Sequence, residues 1–179
     1  MREFEMTDLG LMQYFLGIEV KQTEEGIFIS QEKYANDILK RFGMENSNPM
    51  TTPMEPRLKL SKKDEGEAVD ESLYRSLVGS LRYLTCTRPD IAFAVGKISR
   101  YMEEPKSLHW KAAKRILRYV KGTADLGMLY PRGTNKFVKL AGFSNSDWCG
   151  DSDDRRSTTG FVTTSDRRHS HGSQGSSPS

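Results

Sequence analysis

Ser107-Leu108-His109-Trp110-Lys111-Ala112-Ala113-Lys114-Arg115-Ile116-Leu117-Arg118-Tyr119-Val120-Lys121-Gly122 decides how the middle of this chain folds. At about 100° per residue, Leu108, Ala112, Ala113, Ile116, Leu117 and Val120 share one side of a helix. Lys111, Lys114, Arg115, Arg118 and Lys121 gather on the other, and Gly122 stops the run. Burying the apolar side points the five basic residues outward together.

Two more helices precede this one. Pro89 suits a first-turn position, and Ile91, Ala94, Val95, Ile98 and Met102 follow at helical spacing before Pro105 ends the run. Upstream, Asp70 caps a helix that carries Leu73, Leu77, Leu81 and Leu84 on one face. Short connections between amphipathic helices imply antiparallel neighbours, hence a small bundle. Residues 45–67 hold Pro49, Pro53, Pro56 and a cluster of lysines and acids without periodicity, which predicts a linker or a long surface loop.

At the start of the chain, Tyr14-Phe15-Leu16-Gly17-Ile18-Glu19-Val20 and Gly26-Ile27-Phe28-Ile29-Ser30 predict a β-hairpin. A short helix follows, with Ser30 as its cap, Tyr34, Ile38, Leu39 and Phe42 at helical spacing, and Gly43 at its end. After Gly122 the period becomes two. Leu126–Tyr130 and Phe137–Phe143 read as paired strands, with a third starting around Thr158–Val162. From Ser165 onward nothing apolar remains, and a disordered tail is expected. The fold class is α+β: hairpin and helix, an antiparallel helical bundle, an incomplete sheet, then the tail.

The chain's 179 residues are 28% charged and 36% hydrophobic, with a net charge of +3, as suits a soluble protein with a modest core. So mild a basicity permits a nucleic-acid partner without arguing for one. Cys86 and Cys149 are far apart and fit reduced thiols better than a disulfide framework. His109, His169 and His171 lie nowhere near them in sequence, so no metal site assembles. Acidic residues at Glu3 and Glu5 and the absence of an apolar run exclude a signal peptide at the start, and no stretch approaches the roughly 20 apolar residues that span a bilayer. An intracellular, non-membrane protein is expected.

Two constellations invite a chemical reading. The basic side of the 107–121 helix suits a phosphate backbone, where Lys and Arg gain affinity by releasing counterions. It equally suits a solvated helix face, and the residues alone leave both open. Asp147, Asp151, Asp153 and Asp154 follow the strand ending at Phe143, where carboxylates can hold Mg²⁺. Without partners from other strands, an acidic turn is the better reading. Arg115-Ile116-Leu117-Arg118 also spells the RxLR string of secreted effectors, which would make the chain a co-opted interaction protein without enzymatic activity. In mid-helix, a repeat of basic and apolar residues accounts for it.

Taken in series, longer strings carry a resemblance. Phe4-Glu5-Met6-Thr7-Asp8-Leu9-Gly10 with Tyr14–Val20, Gln31-Glu32-Lys33-Tyr34-Ala35, Thr52-Pro53-Met54 and Tyr74–Leu84 are among them. So are Thr87-Arg88-Pro89-Asp90-Ile91, Ala113–Thr123, Asp147-Trp148-Cys149-Gly150-Asp151 and Asp154–Gly160. From about Phe4 to Val162, in order, the chain resembles the copia-type Pol polyproteins of LTR retrotransposons, at the end of the reverse transcriptase domain and the start of RNase H.

That resemblance implies the end of the palm at residues 1–44, a linker at 45–69, thumb and connection helices at 70–122, truncated RNase H-like strands at 123–164, and the tail at 165–179. The parent is an RNA-directed DNA polymerase with RNase H activity that uses Mg²⁺. Its polymerase carboxylates, in a Tyr-x-Asp-Asp turn and elsewhere in the palm, precede the region this chain resembles. The family's RNase H strand ends in Asp-Ser-Asp-Trp, its first aspartate a metal ligand; here the string is Asn145-Ser146-Asp147-Trp148. Asn145 is a poor ligand for Mg²⁺, which leaves Asp147 and Asp151 as weak remnants. The resemblance thus implies no catalytic residues and no cofactor in this chain. It implies weak, non-specific binding to an RNA–DNA or DNA duplex through Lys111, Lys114, Arg115, Arg118 and Lys121.

Overall fold

The first long strand expected, over Tyr14–Val20, is broken at its middle. Leu16 and Gly17 both take left-handed angles, φ 47° and 79°, as a two-residue type I′ turn requires. β1 (Tyr14–Phe15) and β2 (Ile18–Gln22) flank the turn, with Phe15 opposite Ile18. Glycine adopts such an angle without steric cost and leucine does not, so residue type alone hides this turn. The computed structural model describes residues 10–132 and, beyond them, the backbone of strands Lys139–Asn145 and Gly160–Asp166.

β3 (Gly26–Ser30) pairs antiparallel with β2, and β4 (Gly127–Pro131) pairs antiparallel with the other edge of β3. The sheet order is β1-β2-β3-β4. This corrects the expected pairing of residues 126–130 with 137–143. Period-two alternation marks a strand but does not name its partner, and the last helix returns the chain beside the open edge of β3. Residues 139–145 form β5, which pairs with β6 (Gly160–Asp166) and sets Asn145 opposite Gly160. Ser165 and Asp166 therefore belong to a strand and not to the tail. Asp147, Cys149, Asp151, Asp153, Asp154 and residues 167–179 lie outside the described residues.

α1 (Glu32–Arg41) begins at Gln31, not at Ser30, and the Gln31 side chain makes no capping bond. Glu19 of β2 serves instead, its carboxylate accepting from the Lys33 N–H at 2.8 Å. α2 (Glu71–Leu84) is capped by Asp70, which accepts from Leu73 N–H at 2.6 Å. Its buried face is Tyr74, Leu77, Val78, Leu81 and Leu84, while Leu73 is 44% exposed. Tyr74 takes the place expected for Leu73 because its hydroxyl donates to the Ile98 carbonyl at 2.9 Å, satisfying the one polar atom it buries. α3 (Ala92–Ile98) lies between 3₁₀ turns at Pro89–Ile91 and Ser99–Tyr101, and α4 spans Ser107–Lys121.

Residues 45–69 are irregular, as expected, yet they are folded onto the helices. Leu60 is buried, as is Met44 just before the segment, and Met54 and Leu58 pack against the core. Among the described residues the buried apolar side chains come from the four helices, the 3₁₀ turns, Met44 and this segment; β1–β4 supply none of them.

Candidate functional site

α4 owes its rotation to Ala113, Ile116, Leu117 and Val120, all wholly buried, with Ala112 nearly so. Its basic residues accordingly share the outer side, but that side is not bare. Residues 47–64 run along it in the opposite direction as a strap. Lys121 Nζ donates to the Ser47 carbonyl at 2.7 Å and Arg118 Nε to the Asn48 carbonyl at 2.6 Å. The Met50 N–H donates to the Arg118 carbonyl at 3.2 Å. Arg115 donates through Nη2 to Thr52 Oγ1 at 3.0 Å and through Nη1 to Glu55 at 3.3 Å.

The far end of the strap is held by His109. Its ring is fully buried and stacked on Tyr101 at 4.0 Å. Nδ1 accepts from the Lys106 N–H at 3.0 Å, closing the start of α4, so the proton of the neutral ring sits on Nε2, 3.0 Å from the Ser61 carbonyl. Tyr101 donates to the Leu60 carbonyl at 2.8 Å and Lys97 to that of Leu58 at 3.2 Å.

The five basic residues share the outer side of α4, but three of them are engaged there by the strap. Irregular backbone must satisfy its carbonyls, and Arg118 and Lys121 do this for the strap, while Arg115 holds strap side chains. Lys111 is exposed and, among the described residues, has no polar partner; Lys114 Nζ sits 5.3 Å above the Trp110 ring. Between strap and helix lies a groove of about 390 Å³. Met44, Leu58, Leu108 and Ala112 give it an apolar lining; Lys111, Lys114, Arg115, Arg118 and Glu55 supply its charges.

A second polar assembly fixes the other end of α4. Arg88 is 2% exposed and pairs with Asp90 through Nε at 2.9 Å and Nη2 at 2.7 Å. It also donates to the Thr123 carbonyl at 2.6 Å and Thr123 Oγ1 at 2.7 Å. Burial alone would raise the Asp90 carboxyl, but the hydrogen bonds and charge of Arg88, with Tyr119, outweigh it and hold it below its ordinary value. Residue type gives Arg88 no special role; an arginine and an aspartate two apart around Pro89 are the only signal.

Of the metal-binding string, the described residues include only Asn145, whose neutral amide does not fit a hard cation that wants carboxylate oxygens. Among the described residues no three His, Cys, Asp or Glu side chains cluster to hold a metal. Nor is any helix among them long and apolar enough to cross a membrane.

Residues 1–56 match the family model described as reverse transcriptase (RNA-dependent DNA polymerase). The Pol polyprotein of transposon RE1 from Arabidopsis thaliana is 42% identical over 161 residues, covering 90% of this chain and 11% of that protein. That of transposon TNT 1-94 from Nicotiana tabacum is 42% identical over 172 residues, 91% of this chain and 13% of that one. The chain belongs to the copia-type retrotransposon Pol polyproteins. It spans about a tenth of the length of the Pol polyproteins it matches. A shorter match, 44% over 90 residues, covers 50% of this Pol segment and 62% of the secreted RxLR effector protein 161 of Plasmopara viticola. In the Pol segment, Arg115 and Arg118 of the RxLR string hold the strap while Ile116 and Leu117 lie in the core. The string is a fold-bearing part of α4. No solved structure gives a significant match.

Proposed function

We propose that this Pol segment makes weak, sequence-independent contacts to the backbone of an RNA–DNA or DNA duplex through the outer side of α4, and performs no chemistry itself. The observation that carries the reading is the burial of Ala112, Ala113, Ile116, Leu117 and Val120 of α4, which leaves Lys111 and Lys114 on the surface beside the strapped Arg118. Contacts of lysine and arginine to phosphate position a protein without reading bases. In this reading β1–β3 and α1 belong to the end of the palm, residues 70–122 to the thumb and connection, and β5 and β6 to an RNase H-like sheet lacking a metal ligand at Asn145, while β4, expected with those last strands, pairs with β3 instead. Binding takes place inside the cell. The effector match supports a second reading, an interaction protein; a transcript encoding a secretion leader ahead of this segment is what that reading requires.

Fluorescence anisotropy of a labelled RNA–DNA hybrid against salt tests the first reading. Replacing Lys111 and Lys114 with Gln should weaken binding and flatten the slope of log K by about 0.9 for each phosphate no longer neutralised. Gln is a good helix former, so α4 should stay folded. Unchanged affinity at low salt would show that the lysines form only a solvated face.

A further inference from the structure

The groove between strap and α4 has two properties that a duplex does not use together. A duplex offers phosphates and sugars to a surface helix and keeps its bases stacked and paired inside. The groove offers cations, but also an apolar lining of Met44, Leu58, Leu108 and Ala112, with Met44 and Ala112 buried at its base. We propose that it binds single-stranded nucleic acid, seating one unpaired base on this lining with the flanking phosphates on Lys111, Lys114 and Arg118. The proposal rests on the reading that the outer side of α4 meets phosphates.

Charge and shape both favour this occupant. Four cations line the groove against one carboxylate, Glu55, which Arg115 already engages at 3.3 Å. From Lys111 to Arg118 the cations span two helical turns, about 10 Å. A single phosphate cannot engage both ends of that row, whereas a strand with successive phosphates can. The strap also prepares Arg118 for the task. It holds the guanidinium through Nε at 2.6 Å, and among the described residues nothing accepts from the two terminal nitrogens. An arginine fixed in this way loses less freedom when it binds. The groove's volume of about 390 Å³ falls at the small end of the range for small-ligand clefts, roughly 300–1,000 Å³, so it suits one base and not a stack of several.

The test compares a labelled oligo-dT strand with a DNA duplex of equal phosphate number, at one salt concentration, on the full chain. The expected result is about ten-fold tighter binding of the single strand, the order of one well-placed base. Ala112→Leu, which fills the base of the groove, should abolish the difference while duplex binding persists. Should that variant fail to fold, methyl-labelled methionine NMR on the unaltered chain decides. The Met44 signal, assigned with Met44→Leu, should shift with oligo-dT and not with duplex. Equal or tighter duplex binding with an unmoved Met44 signal overturns the single-strand proposal and leaves the duplex reading standing. Binding of neither probe overturns both.

Discussion

α2 and β3 are both rich in large apolar residues, yet they end in different surroundings. Tyr74, Leu77, Val78, Leu81 and Leu84 of α2 are at most 1% exposed, whereas Ile27 of β3 is 43% exposed and Tyr130 opposite it 54%. Strand alternation and register put Ile18, Val20, Ile27, Ile29, Met128 and Tyr130 on one face of the sheet. None of these six belongs to the core. An apolar pattern thus specifies which residues an element can bury; a neighbour determines whether it does. The helices have neighbours forced on them by short connections, whereas the apolar sheet face stays outside the hydrophobic core and is open at Ile27 and Tyr130.

The hardest break falls on the helical side. Arg88→Ala leaves Asp90 and Thr123 without their partner and should cost about 3–5 kcal/mol, the range for breaking a buried ion pair, measured by urea denaturation. The same pair sets an acid limb. Because the folded Asp90 carboxyl lies below its unfolded value, its contribution is present above the unfolded carboxylate pKa. That contribution is lost as pH falls through the folded one. Arg88→Ala should flatten the loss of stability in that window; an unchanged acid limb would remove Asp90 from the account.

Next in size, Leu77→Ala should cost about 2–5 kcal/mol, while Ile27→Ala on the open sheet face should stay near 0.5 kcal/mol, as surface changes do. Equal costs would mean the sheet face is covered in solution, and the contrast between the two regions would fail. A change inside the sheet sharpens it. A side-chain carbon added at Gly127 would strike the Ile29 carbonyl, an overpacking worth about 1–3 kcal/mol. Gly127→Ala should therefore speed amide exchange in β3 and β4 while α2 and α4 keep their protection. Uniform acceleration throughout would show that sheet and helices open as one unit.

Much of the helical part was legible because a 3.6-residue period is written locally: the span of α4, the Asp70 cap and the break at Pro105 all follow from neighbouring residues. Tyr74 in place of Leu73 shows where residue type misleads, since a tyrosine whose hydroxyl finds a carbonyl buries as well as leucine. The turn at Leu16–Gly17 was hidden by a leucine in a glycine's conformation. Its carbonyl accepts from the Tyr83 hydroxyl, a bond 67 residues away in sequence that no local pattern announces. The basic residues of α4 were legible as one side, but the strap across that side was not, because the side-chain contacts of Arg115, Arg118 and Lys121 with it join residues 60 to 74 positions apart.

That separation also has a direction in time. Synthesis runs from the N-terminus, so Ser47 leaves the ribosome 74 residues before Lys121, the side chain that will cap its carbonyl. At about 5–20 residues per second the interval is roughly 4–15 s. Loop closure takes far less than a millisecond, so throughout this interval the nascent strap samples conformations without its receiving helix. Its carbonyls stay hydrated and Met54 and Leu58 lack part of their final cover until α4 emerges. The polar, proline-punctuated composition of residues 45–67 keeps such a waiting segment soluble, and α4 closes over a chain that has already been made.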